Sequence, residues 1–464
     1  MEQRLGIAAR PARIAIIGAG PAGFYAAEAL LKQPNLTCTI DFFNRFPTPF
    51  GLVREGVAPD HQSIKAVTRI FDRIAADGRV RYFGNVTFGT DLRHEDLKPL
   101  YDQIVYAVGT QTDRRMGIPG EDLAGSFPAT AFVGWYNGHP DYRDLTFDLS
   151  HERVIVVGNG NVAMDVTRIL ITDPDELAKT DIADHALAQL RESEVREVVM
   201  LGRRGQAQAA FTTAELKEFG ELTGVRVIVD PADLELDEHS AESLADDKIA
   251  AKNVEILRSY AAHSDWAGER SIRMCFLVSP VEILGENGQV VAVRIERNRL
   301  VMDENGGLRA KGTGVFETIE TGMVLRSVGY RGVPLPGVPF DEASYTITNI
   351  AGRVVHSTSG DPIPGEYVVG WAKRGPSGVI GTNKPDAVET VVCMLEDLSN
   401  GAVLQPAHPG LEAAEALVRE RQPQYFSYAD WLKLDALEVE RGQALGRPRV
   451  KFTTVEAMVK ALGK

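Results

Sequence analysis

Two consecutive arginines, Arg203 and Arg204, follow the apolar run "VVML" after a single glycine, Gly202. A planar guanidinium can bond two oxygens of one anion, so a doubled arginine at a strand end is a place for a phosphate. Two further stretches carry chemistry of the same kind. "ARIAIIGAGPAGFYAAEALL" contains Gly18-x-Gly20-x-x-Gly23, and "ERVIVVGNGNVAMDVTRILI" contains Gly158-x-Gly160-x-x-Ala163. In each, the first glycine makes a tight turn and the second lets backbone approach a pyrophosphate. The third position, where alanine is also accepted, lets the helix pack on the strand with its N-terminus toward the anion. A glycine trio alone is a weak signal. The Val/Ile strand before it and the helix after it make both of these dinucleotide-binding fingerprints.

The residue ending the next strand selects the nucleotide. An acid there holds the ribose hydroxyls, whereas arginine accommodates the 2′-phosphate of NADP. In the second unit that strand is "VREVVMLGRRG", displaced from Gly158 by the helical insert "TDPDELAKTDIADHALAQL". Arg203 and Arg204 end it, so NADP is the expected nucleotide. In the first unit "TCTIDFFN" ends at Asn44, which can hydrogen-bond a ribose but without charge. Two fingerprints imply two dinucleotides. A flavin dinucleotide beside NADP(H) lets hydride pass between them, so FAD is expected in the first unit.

These groups call for an α/β fold with two Rossmann-like dinucleotide-binding domains. "YDQIVYAVGTQTDRRMGIPGEDLAGS" and "GMVLRSVGYRGVPLPGVPFDE" each read as a strand, a glycine and a turn-rich link. The repeated link implies that an NADP-binding domain, residues 113–328, is inserted into an FAD-binding domain, residues 1–112 and 329–464. From Ser271 to Val301, "SIRMCFLVSPVEILG" and "VVAVRIERNRLV" alternate around "GENGQ" and read as β-hairpin material. "GEYVVGWAKRGPSGVIGTNKPDAVETVVCML" reads as a strand, a glycine-rich turn and an amphipathic helix with Val388, Val391, Val392 and Leu395 on its apolar face. The turn Gly378, Val379 and Ile380 offers N–H groups at a helix start, suited to an electron-rich flavin edge. Segments beyond about residue 400, "SYADWLKLDALEVERG" among them, read as helices covering the FAD domain.

The chain has 464 residues, 44% of them apolar and 25% charged, a soluble globular composition with room for two or three domains. No apolar run approaches the roughly 20 residues of a membrane span. The N-terminus reads as a short tail before the first strand, too short in its apolar stretch for a signal peptide, so a cytoplasmic location is expected. A net charge of −14 argues against general nucleic-acid binding. Cys38, Cys275 and Cys393 lie far apart with no C-x-x-C, which disfavours a redox disulfide, an iron–sulfur cluster or a cysteine-rich zinc site. No metal is expected.

With the fingerprints, the links and the arginine pair come the blocks "PTPFGLVREGVAPDH", "GNGNVAMDV", "GRRG", "AAFTTAEL", "EYVVGWAKRGPSGVIGTNK" and "GRPRVKF". On these the whole chain resembles the adrenodoxin-reductase-like ferredoxin–NADP reductases. The resemblance implies FAD contacts at Ala22, Leu52, Val86, Trp371 and the turn Gly378, Val379 and Ile380. It implies NADP contacts at Arg114, Asn159, Gly160, Asn161, Val162, Arg203, Arg204, Glu215 and Gly378. Asn44 departs from the acid common in the family.

The resemblance also puts positions matching His61, Asp165 and Glu218 near the nicotinamide and flavin rings. Hydride transfer needs geometry rather than a proton donor. These three candidate catalytic residues therefore read as orienting and electrostatic groups, with a purely structural role as the alternative for each. His61 heads a helix whose apolar face is Ile64, Val67, Phe71 and Ile74. The function implied is hydride transfer from NADPH to FAD, then single electrons to a ferredoxin that feeds an oxidase such as a cytochrome P450. An NADPH–quinone or dye reductase and a non-catalytic FAD/NADP redox-sensing module are the competing readings. Lys248, Lys252 and Arg258, in "DKIAAKNVEILRSYA", form the candidate basic patch for an acidic ferredoxin.

Overall fold

A computed structural model of the protein describes residues 5–262, 269–304 and 306–464. The first four residues of the N-terminal tail lie outside the described residues. Contacts divide the chain into two compact units, Met1–Thr112 with Gly329–Lys464, and Asp113–Val328.

In the first unit the strand Ala12–Ile17 is buried along its whole length between parallel neighbours, Cys38–Asn44 and Gln103–Tyr106. Near-continuous apolar runs are what a parallel strand covered on both faces requires. The sheet extends through Val80–Gly84 on one side and Pro362–Val368 on the other, so the returning chain joins the sheet begun at the N-terminus. Phe24, Phe42, Phe50 and Phe71 pack together on one face. The helix Tyr428–Gln443 adds Trp431 and Leu434 to that core.

Two sequence expectations need correction in this unit. The single helix expected after His61 is two short ones, Gln62–Lys65 and Thr68–Ala75. Phe71 and Ile74 are buried, but Ile64 is exposed. In the helix Asn383–Asn400 the buried stripe is Ala387, Thr390, Val391 and Met394, while Val388 and Val392 face solvent. β-Branched residues can occupy an exposed helical face, so apolar spacing alone misassigned the stripe.

The second unit holds six parallel strands in the order Ser126–Pro128, Met323–Arg326, Arg153–Val157, Glu197–Leu201, Arg270–Cys275, Val225–Val229. The stretch expected to be hairpin thus begins with a parallel sheet strand. The antiparallel part is Val278–Glu286 with Gln289–Met302, extended by Leu308–Glu320. Alternation marks a strand but does not say which sheet it enters. Among the described residues no helix is long and apolar enough to cross a membrane.

Candidate functional site

Both glycine loops show three distinct steric roles. Gly18 has φ +103°, and a Cβ there would lie 2.5 Å from the Ala107 carbonyl oxygen. Gly158 has φ +130° and is pressed in the same way against the Ser327 carbonyl. Each first glycine lets its turn touch the chain leaving a neighbouring strand. Gly23 packs on Gly18, where a Cβ would come within 2.5 Å of the carbonyl oxygen, whereas Ala163 accommodates its methyl group fully buried. The middle glycines differ from all of these: a Cβ on Gly20 or Gly160 would meet nothing within 4 Å. Each heads an 11-residue helix, Pro21–Leu31 or Asn161–Ile171, with no side-chain cap. Open space before uncapped N–H groups is the cradle a pyrophosphate requires, so both loops fit a dinucleotide.

The strand ends are finished differently. Asn44 is half-buried and turned inward. Its Oδ1 accepts from the Ala19 N–H, and its Nδ2 donates to the carbonyls of Phe46 and Thr48. The sequence allows it an uncharged hydrogen bond to a ribose; the structure adds that it is a cross-link within the chain, with one Oδ1 lone pair left over. Arg203 and Arg204 are exposed, and neither guanidinium forms an ion pair with a described residue. Among the described residues only their carbonyls are engaged, accepting from Asn298 Nδ2 and the Leu277 N–H. No described residue of the second unit neutralises this doubled charge.

Behind the second loop, the structure brings together three residues singled out in the sequence around one that was not. Arg168, buried at 3% exposure, donates to Asp165 Oδ1 at 2.6 Å and to Glu215 Oε2 at 3.0 Å, and lies 3.2 Å from Glu218 Oε2. Asp165 and Arg168 stand one turn apart on the glycine-loop helix. Glu215 and Glu218 stand one turn apart on the helix Thr213–Glu221. Asn161 ties the same two helices at their starts, its Oδ1 accepting from the Thr212 N–H at 2.9 Å, and Asn159 accepts from Ala210 through its carbonyl. Arg168 was detectable in principle, as a charge amid the apolar "MDVTRILI".

The remaining candidates are spread over both units. In the first, Leu52 opens the short helix Leu52–Glu55 and is exposed, while Val86 is buried and donates its N–H to the Asn44 carbonyl. Ala22 touches Gly370, and Trp371 starts the next turn of helix with its Nε1 donating to the Ser377 carbonyl. Gly378 takes φ +78°, and Val379 and Ile380 lead into the helix Asn383–Asn400. This turn borders a cavity lined by Arg374, Ser377, Thr382 and Asp386. His61 is half-buried at the start of Gln62–Lys65. In the second unit Arg114 is exposed in the link. Of the basic patch, Lys252 is already paired with Glu255 at 2.8 Å.

A family model described as pyridine nucleotide-disulphide oxidoreductase matches residues 12–232. NADPH-ferredoxin reductase FprA of Mycobacterium tuberculosis (strain ATCC 25618 / H37Rv) is 48% identical, the match covering 97% of this chain and 99% of that one. The chain belongs to the NADPH-ferredoxin reductase family. The mitochondrial NADPH:adrenodoxin oxidoreductase of Arabidopsis thaliana is 40% identical over 97% of this chain and 95% of its own length. A solved structure of Mycobacterium tuberculosis FprA in complex with NADPH superposes with a TM-score of 0.91 at 47% identity, covering 97% of this chain and 99% of that one. The disulphide of the broader family's description has no counterpart in this reductase: all three cysteines are free. Burial pushes the Cys38 thiol up to about 11 and the Cys275 thiol up to about 12, so neither is a thiolate at neutral pH.

Proposed function

We propose that the protein is an FAD-dependent oxidoreductase that carries electrons from NADPH to a ferredoxin. The observation that carries this reading is the Arg203–Arg204 pair, exposed and without an ion-pair partner among the described residues, at the strand end beside an open helix N-terminus. The relatives named NADPH-ferredoxin reductase support the acceptor. FAD, when bound, supplies the exchange between a two-electron donor and a one-electron acceptor.

The chain's own residues hold and orient. Gly18, Gly20, Ala22 and Gly23, with Leu52, Val86, Trp371 and the turn Gly378, Val379 and Ile380, are assigned to FAD. Asn159, Gly160, Asn161 and Val162 present the second helix start to a pyrophosphate. Arg203 and Arg204 grip the 2′-phosphate, and Arg114 and Glu215 complete the NADP set. Asp165 and Glu218 are held by Arg168 as orienting carboxylates, and His61 orients from the first unit's sequence. Residues 113–328 are the NADP-binding domain, and the rest is the FAD-binding domain. A cytoplasmic location and a downstream oxidase such as a cytochrome P450 complete the reading.

The test uses purified protein. NADPH should bleach its yellow flavin within seconds, and rapid cytochrome c reduction should require added ferredoxin. A flavin that NADPH leaves unbleached overturns the enzyme, and a rate indifferent to ferredoxin overturns the acceptor in favour of a dye reductase.

A further inference from the structure

Asn44 stands where a dinucleotide fold ordinarily carries an acid for the ribose hydroxyls, but its side chain is largely committed. Oδ1 accepts from Ala19, in the middle of the glycine loop, at 3.1 Å. Nδ2 donates to the carbonyls of Phe46 at 2.9 Å and Thr48 at 3.0 Å. A carboxamide has two donor hydrogens and two acceptor lone pairs. Both hydrogens and one lone pair are in use, leaving one lone pair for a ligand.

The segment held in this way lies against the glycine loop. The Phe50 N–H donates to the Ala19 carbonyl at 2.8 Å, and a Cβ on Gly51 would sit 3.1 Å from Gly20 Cα. Phe50 itself takes φ +84°, a left-handed conformation that a bulky residue keeps only where its surroundings fix it. The Tyr82 hydroxyl, 3.1 Å from the Phe46 carbonyl and 3.2 Å from that of Pro47, braces the same segment from below.

We propose that Asn44 is a positioning residue of the first dinucleotide site, and that the acid usual at this place would weaken cofactor retention in this chain rather than strengthen it. The proposal rests on reading the first unit as the FAD site. A carboxylate at position 44 could still accept from Ala19 and from a ribose hydroxyl. It has no hydrogen for the Phe46 and Thr48 carbonyls, and its charge would face both oxygens. One charged ribose contact would be gained; two bonds fixing the wall of the site would be lost.

The experiment compares the parent protein with Asn44→Asp, nearly isosteric, and Asn44→Ala, which removes the donors without adding charge. FAD release is followed by the rise in free-flavin fluorescence, and amide hydrogen exchange of residues 46–51 is measured in the apoproteins. Asn44→Asp should release FAD about tenfold faster than the parent or more. Both variants should exchange faster over 46–51. Slower or unchanged FAD release from Asn44→Asp overturns the proposal. Unchanged exchange in Asn44→Ala overturns it too, and that readout stands if the charged variant fails to fold. A parent that retains no FAD contradicts the flavoenzyme reading instead, while the exchange measurement still tests the cross-link.

Discussion

At the first glycine loop the residue ending the next strand gives its side chain to the chain itself; at the second, the two residues in that place give only their carbonyls. The loops are otherwise built alike, down to the first glycine pressed on a neighbouring carbonyl and the middle glycine facing open space. The contrast follows from donor chemistry. A neutral amide both donates and accepts, so a fold can absorb it. A guanidinium only donates and keeps its charge, so with no acid among the described residues paired to it the arginine pair stays open to an anion. Similar turns thus need not recognise their nucleotides by similar means.

The largest expected effects separate the glycines within each loop. Gly18→Val and Gly158→Val force a side chain onto backbone at strongly positive φ and should destabilise the apoprotein by about 3 kcal/mol or more. Gly20→Val and Gly160→Val enter open space at φ −90° and −97° and should leave apoprotein melting nearly unchanged while nucleotide binding is lost. Equal melting losses at all four positions would break the assignment of roles.

Next is Arg168→Met, which leaves Asp165, Glu215 and Glu218 without their buried cation. Removing one partner of a buried ionic cluster costs about 3–5 kcal/mol, to be read by denaturant unfolding, and Arg168→Lys should recover part of it. A variant as stable as the parent would make the cluster incidental.

A smaller effect separates acids held against an arginine, which occur in both units, from one held against a hydroxyl. In the first unit Asp41 is paired with Arg13 and Arg81, and Glu438 with Arg54. In the second unit half-buried Asp113 is instead hydrogen-bonded to the Thr130 hydroxyl, and desolvation pushes its carboxyl up to about 6 from 3.8. A carboxyl raised on folding stabilises while protonated, and that contribution is lost as pH rises through about 6. Asp113→Asn should therefore flatten the stability profile between pH 4 and about 6 and gain about 3 kcal/mol at pH 7. An unchanged profile would show that the Thr130 bond already offsets the burial.

The geometry of both glycine loops was legible because steric rules write themselves into local sequence. The turns at Gly18, Gly20, Gly158 and Gly160 could be read from their spacing between a Val/Ile strand and a helix, and the arginines from their place after a strand. Arg168 was hidden because its partners come from two helices, 47 residues apart in the case of Glu215. The cross-link made by Asn44 was hidden because its partners are backbone atoms, which no side-chain pattern displays. Val388 and Val392 misled because helical spacing identifies a stripe without saying which stripe faces the core.

The central claim, that Arg203 and Arg204 await a 2′-phosphate, is tested most directly by kcat and KM for NADPH and NADH in Arg203→Leu, Arg204→Leu and the double variant. Each arginine supplies charge-assisted hydrogen bonds, so each single change should weaken NADPH about tenfold to a hundredfold. NADH should lose little, and kcat at saturating NADPH should hold because the contact contributes uniform binding. Parallel losses for NADPH and NADH would contradict the account and return the arginines to a role in the fold or at the pyrophosphate.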